Sequence, residues 1–393
     1  MAQTTQSMEP AGKFSSWLEV DGDAFDGNVR SMMQLLEGRA LLCAVIKSDA
    51  YGHGADILLP FLVRQNVPYI GVGSNNEAEL ARSHGFDGKL LRVRAAAPQE
   101  VRAGMGFFIE ELVSDPQSAF AMSRIAEETG RKLRVHLDIN SSGISRHSLD
   151  VSSSRGKACA VGILSQPWLE PAGIMTHFPC DDVNNIDKGL RRFRAESQAI
   201  LQAAEVPRSA VLLHAANSFS TLNVRASWLD MVRTGAVLYG DTEPGQPGFS
   251  RCLTFKARIG SVNIYPAGSK VGYGLTHTLA TESRLATVTV GYGDGYRRAL
   301  GRRSADHRCD VLLRGQRVPI VDVISMNSMV VDVTSLPEVL PGDEVVLFGR
   351  QDRSEITPEE LEAANAGILA DLYTVWAKDA RILRESCQRV RMA

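Results

Sequence analysis

Lys47 ends a nearly continuous apolar run, LLCAVIK at 41–47, and is followed by Ser48, Asp49, Ala50, Tyr51, Gly52, His53 and Gly54. A run this apolar reads as a strand buried on both faces. A lysine at the end of such a strand is either an amine held in a pocket or an ordinary side chain snorkelling to water. Where burial or a nearby charge lowers its pKa, the amine can form an imine. Other chemistries find less support. GYGDGY at 291–296 has neither the GxGxxG helix context nor the GxxxxGK[ST] pattern of a phosphate loop. No HExxH or GxSxG stands in the candidate regions, and the acidic and histidine residues are too dispersed to nominate a metal. Six cysteines, Cys43, Cys159, Cys180, Cys252, Cys309 and Cys387, stand singly, so structural zinc is not expected and reduced thiols are.

The elements around Lys47 repeat one rhythm. Apolar runs at 69–73, 90–94, 107–113 and 133–139 alternate with helical stretches, and further runs lie at 160–164, 172–176, 210–214 and 231–240. Alternation over more than 200 residues indicates parallel β/α units, either closed into a barrel or doubly wound. WLEV near Trp17 reads as a short strand, and Asp23 as the cap of a helix carrying Phe25, Val29 and Met32. Beyond about residue 250 the runs 252–265, 282–292, 309–324, 329–334 and 343–349 are strand-like and divided by glycine turns. Helical material returns near 357–376. That change of texture implies a second, mainly antiparallel β domain, with the boundary at the DTEPGQPG cluster.

Composition is consistent with this reading. In 393 residues, 43 Lys and Arg against 45 Asp and Glu give a net charge of −2, which argues against a strongly basic nucleic-acid binder. Apolar residues make up 44 %, enough for a sizeable core. No run of 18 apolar residues marks a spanning helix, and the first fourteen residues lack the pattern of a signal peptide.

AVIKSDAYGHG resembles the cofactor-lysine signature of alanine racemases and related pyridoxal-phosphate amino-acid racemases. LLHAANS at 212–218, MVRTG at 231–235, VGYG at 271–274, VGYGDGY at 290–296, ISMN at 324–327 and GDEVVLFG at 342–349 follow in that family's order. The resemblance implies an N-terminal TIM-type (β/α)8 barrel over 22–248 and a C-terminal mainly antiparallel β domain over 249–393, which strand 15–21 is a candidate to join. It also implies pyridoxal 5'-phosphate as cofactor, free amino acids as substrates, and a homodimer whose sites use both subunits. Neither nucleic acid, nor membrane, nor metal has a part in it.

Carried over by residue, Lys47 would hold the cofactor and serve the α-proton of D-substrate, while Tyr273 from the partner subunit would serve that of L-substrate. Racemisation needs two positioned acid–base groups, one for each face. His177 and Arg258 resemble the groups that tune Tyr273, and Arg258 would also donate to the pyridine nitrogen. Viewed blindly, Arg258 makes a surface ion pair equally well. Tyr51, Ser218, Gly235, Ala236 and the Arg233 region would grip the phosphate, for which a hydroxyl and successive N–H groups are suited; Ser218 could equally cap a helix. His214 would stack near the pyridine ring and Asn217 support it. Tyr292 and Met326 would line the substrate entrance.

Departures narrow the assignment. The loop LDINSSGISR is one residue longer than the alanine racemase pattern and ends on Arg146, a candidate to orient Tyr273 and the substrate carboxylate. Asp138 stands where many alanine racemases have a lysine, Asn327 where an aspartate is common, and KDARILRES lacks the family's closing tyrosine. These features resemble the broad-specificity amino-acid racemases, which accept larger and basic side chains. The alternatives are a strict alanine racemase, another reaction of the same cofactor such as aldol cleavage, and a non-catalytic pyridoxal-phosphate-binding protein. Members of the broad-specificity group are often exported, which conflicts with the missing leader pattern; a cytoplasmic location is expected here, with a periplasmic one if a leader has been removed.

Overall fold

The described structure begins with strand β1 (Ser16–Asp21), after which eight apolar runs become parallel strands that close on one another. They are β2 (Leu41–Val45), β3 (Tyr69–Val72), β4 (Lys89–Ala95), β5 (Ile109–Val113), β6 (Leu133–Asp138), β7 (Leu169–Met175), β8 (Leu212–His214) and β9 (Met231–Thr234). Each pairs with the next, and β9 returns to β2 with Cys43 opposite Arg233. This computed structural model describes residues 13–144, 147–242, 246–275, 277–301, 309–377 and 380–385. Within them the chain divides into two units: residues 24–51 with 55–251, and residues 13–23 with 52–54 and 252 onward.

Strand parity decides what each face of the barrel holds. On β6, Leu133, Val135 and Leu137 point outward and pack with helix residues such as Met122, Ile125, Ala160 and Ile163. Full burial of each such side chain contributes about 1.5–3 kcal/mol. The opposite parity fills the lumen, where Cys43, Val45, Tyr69, Leu91, Val93, Leu112, Met175 and Met231 form a separate apolar cluster.

Two local expectations differ from what forms. The run at 160–164 is the end of a helix, Ser154–Leu164, rather than a strand. Ser153 caps that helix by accepting from the Gly156 N–H at 3.1 Å, and Ala160, Ile163 and Leu164 are buried at helical spacing. Asp23 lies in the first turn of the helix Gly22–Leu36 instead of capping it, although Phe25, Val29 and Met32 are fully buried as expected.

The second unit is built on a mostly antiparallel sheet. Its central strand β10 (Leu253–Tyr265) pairs antiparallel with β1, and the sheet also takes in β13 (Ser283–Val288), β14 (Asp310–Leu313), β15 (Gln316–Pro319), β16 (Met329–Asp332), β17 (Glu344–Gln351), β18 (Ser354–Ile356) and β19 (Arg381–Arg384). The two-stranded ribbon of β11 (Lys270–Val271) and β12 (His277–Thr278) brackets the segment that carries Tyr273.

Candidate active site

Cys43 and Val45 point into the lumen, and Lys47 continues their parity just beyond the C-terminal end of β2. Its Cβ lies 3.2 Å from where a side chain on Gly73 would begin, so the absence of one at 73 leaves room for the lysine stem. The next four residues, Ser48 to Tyr51, all adopt left-handed backbone angles, with φ between 52° and 58°. For non-glycine residues each such angle costs on the order of 1 kcal/mol or more, and strain of this kind collects where a site demands it. The turn brings the Lys47 Nζ to 5.8 Å from the Tyr51 ring centre. Tyr51 in turn packs on Tyr239 with ring centres 4.9 Å apart, and the Tyr239 hydroxyl donates to the Val45 carbonyl at 2.9 Å.

The Tyr51 hydroxyl reaches Gly235, where a Cβ would overlap it. Gly235 and Ala236 begin a short 3-10 turn, Ala236–Tyr239, and the Ser218 hydroxyl accepts from the N–H groups of Gly235 and Val237, both at 3.3 Å. Asn217 caps the helix Ser218–Asn223 through the Ser220 N–H at 2.9 Å, which fixes where Ser218 stands. The barrel therefore gathers Lys47, two hydroxyls and backbone N–H groups at its C-terminal strand ends, where barrel sites form.

Behind them runs a line of buried polar groups. Arg233 Nη1 donates to His214 Nδ1 at 2.8 Å, and its Nη2 donates to the carbonyls of Thr176 at 2.9 Å and Ala215 at 3.2 Å. His177 Nδ1 lies 3.5 Å from the same Nη2. His214 Nε2 is 2.8 Å from His136 Nδ1, and His136 Nε2 is 2.7 Å from Glu110. Burial first, then the charge of Arg233, holds the His214 imidazole well below its ordinary pKa. Burial alone would raise the Glu110 carboxyl, but the His136 and Arg134 contacts outweigh it and bring it down to about 2. Burial pushes the Cys43 thiol up to about 12, so it is no nucleophile.

Glu110 and His136 escaped the sequence reading, which took their runs only as strands. The available signal was an ionisable residue on a strand that has no wet face. Arg233, expected in the phosphate region, instead has its guanidinium on His214. Arg258, expected at the ring nitrogen, lies on β10 of the other unit, donating to the Gly342 carbonyl at 3.0 Å and covering the Trp17 ring at 5.0 Å.

Tyr273, Tyr292 and Met326 also belong to that unit. Tyr273 is 69 % exposed and Met326 57 % exposed. Backbone contacts join the segments of Tyr292 and Met326: the Tyr292 N–H donates to Ser325 and the Gly293 N–H to Met326. Arg146 lies outside the described residues. Asp138 is buried with the His147 Nε2 at 3.4 Å. No described group of three His, Cys, Asp or Glu residues could hold a metal, and no described helix is long and apolar enough to cross a membrane.

The donor set fits the group that the resemblance implies. Lys47 offers an amine to an aldehyde, Tyr51, Ser218 and the turn at 235–237 offer donors to a phosphate, and Arg233 offers a permanent cation.

Comparison with known proteins agrees with this geometry. The family described as alanine racemase, N-terminal domain, matches residues 20–243, and its C-terminal domain matches residues 252–384. The chain is 47 % identical over 372 residues to a broad specificity amino-acid racemase of Pseudomonas taetrolens, covering 94 % of this chain and 90 % of that protein. It is 41 % identical over 383 residues to a lysine racemase of Proteus mirabilis, covering 97 % and 93 %. Among solved structures, an alanine racemase from Streptomyces lavendulae superposes with a TM-score of 0.83 at 27 % identity, covering 95 % and 97 %.

Proposed function

The chain belongs to the alanine racemase family, and on that premise we propose that it racemises free amino acids over a broad side-chain range that includes basic ones. Pyridoxal 5'-phosphate, when bound, supplies the conjugated electron sink that makes the Cα hydrogen of an attached amino acid acidic. Lys47 would hold it by its amine and would serve the substrate α-proton on one face. Tyr273 serves the other face, so that D-substrate loses its proton to Lys47 and L-substrate to Tyr273. Tyr51, Ser218 and the N–H groups of residues 235–237 hold the phosphate throughout turnover, when the covalent link is open. Arg233, in place of Arg258, would supply the fixed positive charge to the ring nitrogen, a charge that disfavours its protonation.

The observation that carries the chemistry is the convergence of Tyr51 and Ser218 on Gly235, with the Lys47 Nζ 5.8 Å from the Tyr51 ring, at one end of the barrel. The side-chain range rests on the identity with the broad specificity and lysine racemases. Tyr273 comes from a second copy of the chain, in keeping with its exposure and that of Leu275 and Met326 in the single chain. Arg146 orients Tyr273 and the substrate carboxylate, and Tyr292 and Met326 border the entrance. The free thiols Cys43, Cys159 and Cys180 favour the cytoplasm as the working compartment.

Incubating the protein with each enantiomer of alanine, serine, lysine and arginine, and measuring the absolute configuration of every product, tests the reading. Interconversion of lysine and arginine as well as alanine is expected. Activity confined to alanine would reduce it to a strict alanine racemase. A borohydride-trapped link at Lys47 without hydrogen–deuterium exchange at Cα would make it a non-catalytic binder.

A further inference from the structure

The four groups behind the cradle form a continuous line through the lumen, and their chemistry gives the line a direction. Glu110 is the second residue of β5, His136 the fourth of β6, His214 the last of β8 and Arg233 the third of β9. The line therefore runs from near the strand starts to the strand ends. All four side chains are buried, with Arg233 the most exposed at 7 %.

Arginine can only donate, so Nδ1 of His214 must be the accepting nitrogen at the 2.8 Å contact with Arg233. Its proton then lies on Nε2 and is donated to His136 Nδ1. That leaves His136 with its own proton on Nε2, donated to the Glu110 carboxylate. A second proton on either ring would set two donors against each other at the contact between the rings or at the one with Arg233. Glu110 receives two further donors, Arg134 Nε at 2.6 Å and the Tyr69 hydroxyl at 3.3 Å. A carboxylate at one end and a guanidinium at the other are thus joined by two neutral imidazoles in one tautomer.

We propose that Glu110 is a positioning residue for the racemase site: through His136 it fixes the tautomer of His214, and so holds the Arg233 guanidinium in the orientation the cofactor ring meets. This rests on the reading that Arg233 faces the cofactor. Without an anion at 110, the line is ordered from the Arg233 end alone and the His136 Nε2 proton loses its charged acceptor. His214 could then turn an N–H toward Arg233 and displace it. Hydrogen bonds from a charged group to a placed acceptor are strong enough for this order to matter, and leaving one end undefined disturbs the whole line.

The test uses full-length protein with 15N-labelled histidine, its signals assigned through single His→Gln variants. Long-range proton–nitrogen spectra of the cofactor-free protein should show both His136 and His214 with the proton on Nε2 and Nδ1 accepting. A ring protonated on Nδ1, or on both nitrogens, overturns the proposal even if no variant folds. In Glu110→Gln the signals of both rings should change. In the loaded enzyme kcat should fall about tenfold with KM within about twofold, as expected for losing one charge-assisted hydrogen bond that supports the reacting state. Arg134→Gln removes another partner of the same carboxylate but leaves the contact with His136, so its tautomers should match the wild type. Unchanged ring signals in Glu110→Gln would make Glu110 a packing residue and end the proposal. Failure of borohydride to trap a link in the wild type would instead end the cofactor reading, while the cofactor-free spectra still decide the line.

Discussion

The Tyr51 hydroxyl occupies the space into which a side chain at Gly235 would project. Gly235 has φ of −122°, an angle open to any residue, so the glycine is required by the close approach and not by its backbone. Gly235→Ala should push Tyr51 off Tyr239 and widen the cradle. We expect a loss of pyridoxal-phosphate affinity of about tenfold or more, with an overpacking cost of about 1–3 kcal/mol. Tyr51→Phe keeps the ring packing and removes only the hydroxyl, so it should weaken affinity without that loss of stability. Absorbance titration and thermal unfolding of the two variants separate the effects.

Arg233 and Arg258 are told apart by the conservative change to lysine, which keeps the charge but loses the planar fork. Arg233 holds two carbonyls and His214 at once, whereas the described partners of Arg258 are one carbonyl and an indole face. Arg233→Lys should lower kcat at least about tenfold and shift the absorbance of the bound cofactor, while Arg258→Lys leaves that spectrum unchanged. An altered spectrum in Arg258→Lys alone would return the ring-nitrogen role to Arg258.

The stability that Asp322 contributes should fall as pH rises through the acid range, opposite in sign to that of carboxylates such as Glu110. Burial raises its carboxyl from 3.8 to about 6, against the pull of the Val330 N–H donated to it at 3.0 Å. A raised folded-state pKa means the folded protein binds the extra proton, so its contribution is complete below about 3.8 and is lost as pH climbs to about 6. Asp322→Asn keeps an acceptor for Val330 without the charge. Above pH 6 it should be more stable than wild type by on the order of 1–3 kcal/mol, with a flatter profile between pH 4 and 6. Urea unfolding at a series of pH values measures both.

The barrel was legible because its strands have no wet face: runs such as LLCAV and YIGV are apolar at nearly every position, and helices lie between them. Lys47 was legible for the same reason, as the charge on which the first such run stops. The pairing of His214 with His136 and Arg233 was not, since it depends on which of eight strands face one another across a closed lumen. Nothing in the spacing of residues 110, 136, 214 and 233 brings them into line before the barrel closes. The choice between Arg258 and Arg233 has the same origin, because both lie in strand-like runs and only the sheet topology assigns them to different units.

The proposed division of labour between the two faces rests on Tyr273. It stands on a short 3-10 turn between glycines, with Gly272 at φ 73° and Gly274 at 77°, angles that admit glycine readily and other residues at a cost. The turn holds the phenol out from its own chain, where a second copy can receive it. Tyr273→Phe keeps the ring and removes the proton. On the proposed reading Lys47 would keep its own role in that variant, so cofactor binding and borohydride trapping should match the wild type. Exchange of the Cα hydrogen of D-substrate with deuterium should continue, and the exchange that begins from L-substrate should fall by about 10²–10⁴, the range a positioned acid or base contributes. Following both exchanges by NMR in heavy water measures the asymmetry directly. Equal loss from the two enantiomers would mean that one group serves both faces, and equal retention would mean that the phenol is not the second base.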